Sequence, residues 1–108
     1  LKIVEQASLP AVVSSALESS VGIATGVSLA AALPNLPYAC GLSTVSLMSA
    51  DVTDDSLLAR DGELEVRPVA PTESALRRVE AESEVRDAWV ERIRRCYRVL
   101  QEALPMSH

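Results

Sequence analysis

Between residues 19 and 50 the chain carries no formally charged side chain. Residues 1–18 contribute only Lys2, Glu5 and Glu18. The other 9 basic and 13 acidic residues all fall between Asp51 and His108. An isolated small domain has a high surface-to-volume ratio and usually spreads charge around its exterior. The first half therefore reads as buried interior rather than as a self-sufficient fold.

The uncharged stretch is not a membrane span. A span needs about 20 predominantly apolar residues. The best run, residues 21–33, is shorter, contains Gly22, Thr25, Gly26 and Ser28, and is broken by Pro34 and Pro37. There is no basic n-region with a cleavage site. A net charge of -5 argues against a nucleic-acid partner, because phosphate contacts need a clustered basic surface. Cys40 and Cys96 form no CxxC pair and read as reduced thiols of a cytoplasmic protein. With 48% hydrophobic residues and no Phe, the expected core is aliphatic and small, which suits α/β packing.

The pattern predicts helix, strand, helix, strand over the first half. Leu1, Val4 and Ala7 share one helical face. The chain starts at Leu1 with no N-cap before it, so an upstream segment is expected. Pro10 closes that helix. Ala11-Val12-Val13 is a short apolar run of the kind found in strands buried on both faces. Ser15-Ala16-Leu17-Glu18 fits a capping box, which predicts a helix over residues 17–33. Tyr38-Ala39-Cys40-Gly41 is a second strand candidate, and residues 44–50 allow one or two helical turns. Two strands joined by a helix form the βαβ unit of parallel sheets.

Composition changes at Asp51. Asp51, Asp54 and Asp55 sit in an acidic stretch that reads as a solvated loop. Asp61-Gly62 signals a turn. Glu63-Leu64-Glu65-Val66-Arg67 alternates as a half-exposed strand does. Pro68 and Pro71 bound a linker, and Thr72 caps a helix expected to reach about residue 81. Residues 84–103 form the clearest helix. Val85, Trp89, Ile93, Cys96 or Tyr97, and Leu100 recur as one buried stripe, with Trp89 and Tyr97 as core anchors. Pro105 ends it.

Ser14 and Ser15 carry the main chemical interest. A strand delivers two hydroxyls to its C-terminal end, where ligands bind in α/β barrels and doubly wound sheets. Free N–H groups at the following helix start suit an anion such as a carboxylate. From spacing alone the same serines read first as plain helix caps, because Ser is a preferred cap residue. His108 is terminal and alone, and Cys40 reads as packing.

Val13-Ser14-Ser15-Ala16-Leu17-Glu18-Ser19-Ser20-Val21-Gly22-Ile23-Ala24, followed by Leu36-Pro37-Tyr38-Ala39-Cys40-Gly41-Leu42-Ser43-Thr44, closely resembles the o-succinylbenzoate synthases of the enolase superfamily, their actinobacterial branch most of all. The resemblance implies an α/β fold: the C-terminal portion of a (β/α)8-type barrel, plus a return strand and C-terminal helices. Residues 1–52 would hold the end of a helix, barrel strand 7, its helix and strand 8. Residues 53–71 would be loop and return strand, and residues 72–108 the helical tail. It also implies Mg2+-assisted dehydration to 2-succinylbenzoate in menaquinone biosynthesis, with a lysine abstracting the proton α to a carboxylate. By the family pattern Ser14 or Ser15, and the backbone around Gly41 and Leu42, face a small-molecule carboxylate substrate. Ser43 stands where relatives often have Gly or Asp.

The acid/base lysines and acidic metal ligands of such enzymes lie on earlier strands. The single lysine here, Lys2, is 13 positions before Ser15. A βαβ unit takes about 30 residues or more, so Lys2 is assigned to a solvent-facing helix position instead. The expected catalytic and metal residues of this chain are therefore none. The missing barrel and capping segments are its expected partner, and the chain alone is expected to be inactive. Two alternatives stay open: a partner-dependent subunit of a split barrel, or a relative of the N-acylamino acid racemases.

Overall fold

The computed structural model describes residues 2–103; Leu1, Pro105 and His108, and the expectations placed on them, lie outside that range. Helix α1 spans Lys2–Gln6. It ends where Ser8 takes φ 53°. Leu9 N–H then reaches back to the Val4 carbonyl (3.2 Å) and Ser8 N–H to that of Glu5 (3.1 Å). These two bonds make a Schellman cap, with a serine in the place glycine usually takes.

Helix α2 spans Ser20–Ala31, three residues later than the capping box predicts. The reason is local. Leu17 sits at φ 65°, outside the helical region. The Glu18 carboxylate accepts from the Ala16 N–H at 2.6 Å, closing a tight turn before the helix rather than bonding Ser15. Ser19 is the N-cap residue, and its side chain makes no capping hydrogen bond.

One face of α2 forms the core. Ile23, Ala24, Val27 and Ala30 are buried together with Leu42, Val45 and Leu57, and Val13, Cys40, Leu64 and Val69 pack around them. Gly26 allows the close approach: a Cβ there would lie 2.8 Å from Leu42 Cδ2. A single 3₁₀ turn, Thr44–Leu47, follows the second extended segment and buries Val45.

The expected strands shrink to isolated pairings. Among the described residues there are helices and two bridges, and no strand. Ser14 pairs in parallel with Gly41, through Gly41 N–H to Val13 O (2.9 Å) and Ser15 N–H to Gly41 O (2.8 Å). With α2 as the crossover, this is a βαβ arrangement in miniature. The ladder stops on both sides for physical reasons. Pro10 has no N–H to donate. Val13 N–H turns to the Cys40 sulfur (3.4 Å). Leu42 N–H curls back to the Cys40 carbonyl (3.1 Å).

The predicted return strand is likewise absent, but its turn forms. Arg60 and Glu63 pair in antiparallel fashion, with both backbone bonds at 2.9 Å. Asp61 and Gly62 take φ 51° and 82°, the two positive values of a type I′ turn. A Cβ on Gly62 would meet nothing within 4 Å. Gly62→Ala therefore isolates the cost of the left-handed backbone, about 1 kcal/mol. Urea denaturation should show a loss of that size, with faster exchange of the Glu63 amide.

Helix α3, Glu73–Arg78, starts as predicted: the Thr72 hydroxyl accepts from the Ala75 N–H. Helix α4, Ser83–Ala103, matches the periodicity. Its stripe is not buried. Every residue from 76 to 103 is exposed, all of α4 included. Trp89 is 55% exposed and Ile93 63%. Trp89 is no core anchor; its ring carries the Arg92 guanidinium 5.0 Å above the centroid. The stripe is amphipathic in sequence, but no described residue lies over it.

Candidate functional site

The bridge places Ser14, Ser15, Gly41 and Leu42 together, and it gives them different tasks. Neighbouring residues of an extended segment point to opposite sides. Val13 faces α2 and the core. Ser14 lies on the other side, exposed, directly opposite Gly41. A Cβ on Gly41 would sit 2.7 Å from Ser14 Oγ, so glycine leaves room for that hydroxyl.

Ser15 is already engaged. Its hydroxyl donates to the Gly41 carbonyl (2.9 Å) and lies 2.9 Å from the Thr44 hydroxyl. The Leu42 side chain is buried, 4% exposed, under Gly26 of α2. A cleft of about 470 Å³ opens beside it, walled by Val27, Tyr38, Cys40, Leu42, Leu64 and Val66. That cleft is on the core side, away from Ser14. Cys40 is half-buried and free.

The helix start after Ser15 does hold a carboxylate, and the carboxylate belongs to the chain. Asp51 accepts from the Ser20 N–H at 3.1 Å and from the Ser20 hydroxyl. It also accepts from the Val52 N–H (2.8 Å) and the Ser56 hydroxyl (2.7 Å). Ser20 is fully buried, and its oxygen accepts in turn from the Leu57 N–H at 2.8 Å. An anion at a helix N-terminus is favoured by the helix dipole and the free amides. Burial pushes the Asp51 carboxyl upward, but the hydrogen bonds from Ser20, Ser56 and the Val52 amide outweigh it and hold its pKa below 3.8.

Asp54 does similar work for α3. It accepts from the hydroxyls of Thr72 and Ser74 and pairs with Arg78. Those hydroxyls, then Arg78, hold its carboxyl well below the usual carboxylate range. Asp55 pairs with Arg67 at 3.2 Å. The acidic stretch is thus a set of structural acceptors, not the plain solvated loop expected. The sequence does not single out Ser20, Thr44 or Ser56, and it offers Asp51 only as part of a solvated loop. Asp51 lies 31 residues from its partner, and no local spacing rule links the two.

Lys2 is exposed on α1, as assigned. Among the described residues no helix is long and apolar enough to cross a membrane. Among them, too, no group of three or more His, Cys, Asp or Glu could hold a metal ion.

No protein-family model matches the chain. Individual relatives do. It is 59% identical over 80 residues to an o-succinylbenzoate synthase of Thermobifida fusca, covering 74% of this chain and 25% of that protein. It is 46% identical over 100 residues to the o-succinylbenzoate synthase of Mycobacterium ulcerans, and 46% over 100 residues to that of Mycobacterium leprae. Each of these alignments covers 93% of this chain and 30% of the relative. The chain thus spans less than a third of the length of the curated relatives it matches.

Proposed function

We propose, from the premise that this chain is homologous to o-succinylbenzoate synthases over most of its own length, that it forms the C-terminal portion of such an enzyme. The complete enzyme would be a hydro-lyase that dehydrates a cyclohexadiene carboxylate to 2-succinylbenzoate in menaquinone biosynthesis. The observation that carries this furthest is the parallel pairing of Ser14 with Gly41 across helix α2. It sits within the segment where the family motif is densest, and a parallel pair closed by a crossover helix is the repeating unit of a (β/α)8 barrel.

In this proposal the Ser14 hydroxyl donates to a carboxylate of the substrate. Gly41, lacking a side chain, admits that carboxylate close to the backbone. Ser15 and the buried Leu42 hold the two extended segments in place. Segments absent from this chain would supply the rest of the barrel, the acid/base lysines and the cap.

Mg2+ belongs to the proposed enzyme. The described residues offer it no ligand set.

The test is reconstitution. The chain is mixed with a polypeptide carrying the remaining length of the Thermobifida relative, and dehydration is followed with Mg2+ present. The mixture should produce 2-succinylbenzoate, and the chain alone should not. A mixture that stays inactive, or that racemises N-acylamino acids faster than it dehydrates, overturns the proposal.

A further inference from the structure

The Ser15 hydroxyl has one proton and two oxygen neighbours, Gly41 O and Thr44 Oγ1, each at 2.9 Å. A carbonyl oxygen can only accept. Both contacts are hydrogen bonds in one arrangement alone: Ser15 donates to Gly41 O, and Thr44 donates to Ser15. The Ser15 N–H also donates to Gly41 O, at 2.8 Å. The two lone pairs of this carbonyl are then both covered.

That carbonyl belongs to the residue paired directly with Ser14. A bare carbonyl oxygen there would repel a carboxylate. Capped by two donors, its negative end is quenched, and the Ser14 hydroxyl is left as the group facing the ligand. Ser15 is half-buried, and losing the Thr44 donor removes one of the two hydrogen bonds that fix its hydroxyl.

We infer that Thr44 is a positioning residue for anion selectivity: by donating to Ser15 it keeps the Ser15 proton on the Gly41 carbonyl and so favours a carboxylate over its neutral amide at the Ser14/Gly41 end. Thr44 has this role only if that end binds a carboxylate, as proposed above.

The test titrates the ¹⁵N-labelled full chain with succinate and with its neutral diamide, succinamide, reading the amide signals of Ser14, Ser15, Gly41 and Leu42. The wild type should bind succinate more tightly than succinamide. Thr44→Val should weaken succinate binding about threefold to tenfold, the range of one hydrogen bond, and leave succinamide unchanged. Thr44→Ser keeps the donor and should restore the wild-type ratio. Ser15→Ala uncaps the carbonyl directly and should reproduce the loss, which keeps the test decisive if Thr44→Val does not fold. A wild type that discriminates while Thr44→Val and Ser15→Ala keep its ratio overturns this inference alone. A wild type that binds neither probe overturns the carboxylate site and the inference together.

Discussion

Asp51→Ala is expected to destabilise the chain by about 2–4 kcal/mol at neutral pH, the range for hydrogen bonds to a charged acceptor whose donors are then left unpaired. The carboxylate joins the first amide of α2, the buried Ser20 hydroxyl, Ser56 and the Val52 amide. Its removal strands Ser20 in the interior and frees the Leu57 segment, whose amide hangs on Ser20. Asp51→Asn keeps one acceptor oxygen and should lose roughly half as much.

The pH dependence has a definite sign. The folded pKa of Asp51 is depressed, so its contribution is complete above the unfolded value near 3.8 and is lost as pH falls through the folded value. Urea titrations at pH 7 and pH 3 should show the gap between wild type and Asp51→Ala narrowing in acid. An equal gap at both pH values would mean that the carboxylate charge contributes nothing.

Ile23→Ala is the second large effect, about 2–5 kcal/mol. Ile23 is fully buried at the centre of a core made of few side chains, with Val27, Leu42, Val45 and Leu57 around it. A cavity there has little surrounding mass to collapse into it. The same substitution at Ile93, 63% exposed on α4, should change stability by less than about 0.5 kcal/mol. Equal losses at the two positions would show that α4 is covered in solution.

Local chemistry was legible in the sequence where one short segment decides the outcome. The type I′ turn follows from Asp61-Gly62, the start of α3 from Thr72, and the extent of α4 from its period. Ser15 and Glu18 have capping-box spacing, yet other partners compete for both, distant ones for Ser15 and a local one for Glu18. Gly41 and Thr44 take the serine hydroxyl, and Ala16 takes the carboxylate. The true anion at α2 comes from 31 residues away, beyond any local rule. Strand pairing also depends on distant partners, and here the two extended segments meet at one bridge only. Of the candidate site, the Ser14/Gly41 pair was legible from the motif. The division between a free Ser14 and an engaged Ser15 was not, because it depends on where Thr44 comes to rest.

The uncovered stripe of α4 gives the molecule an optical reporter of its own. Trp89 is the single tryptophan of the chain, and it stands in that stripe with about half its surface in water. At 21 residues the helix is about 31 Å long, so any surface laid along it must meet the indole near its N-terminal half. Such a surface exchanges water for apolar atoms around the ring and displaces or encloses the Arg92 cation stacked on it. Intrinsic emission can therefore follow assembly in real time, with no label attached and no second indole of this chain to subtract.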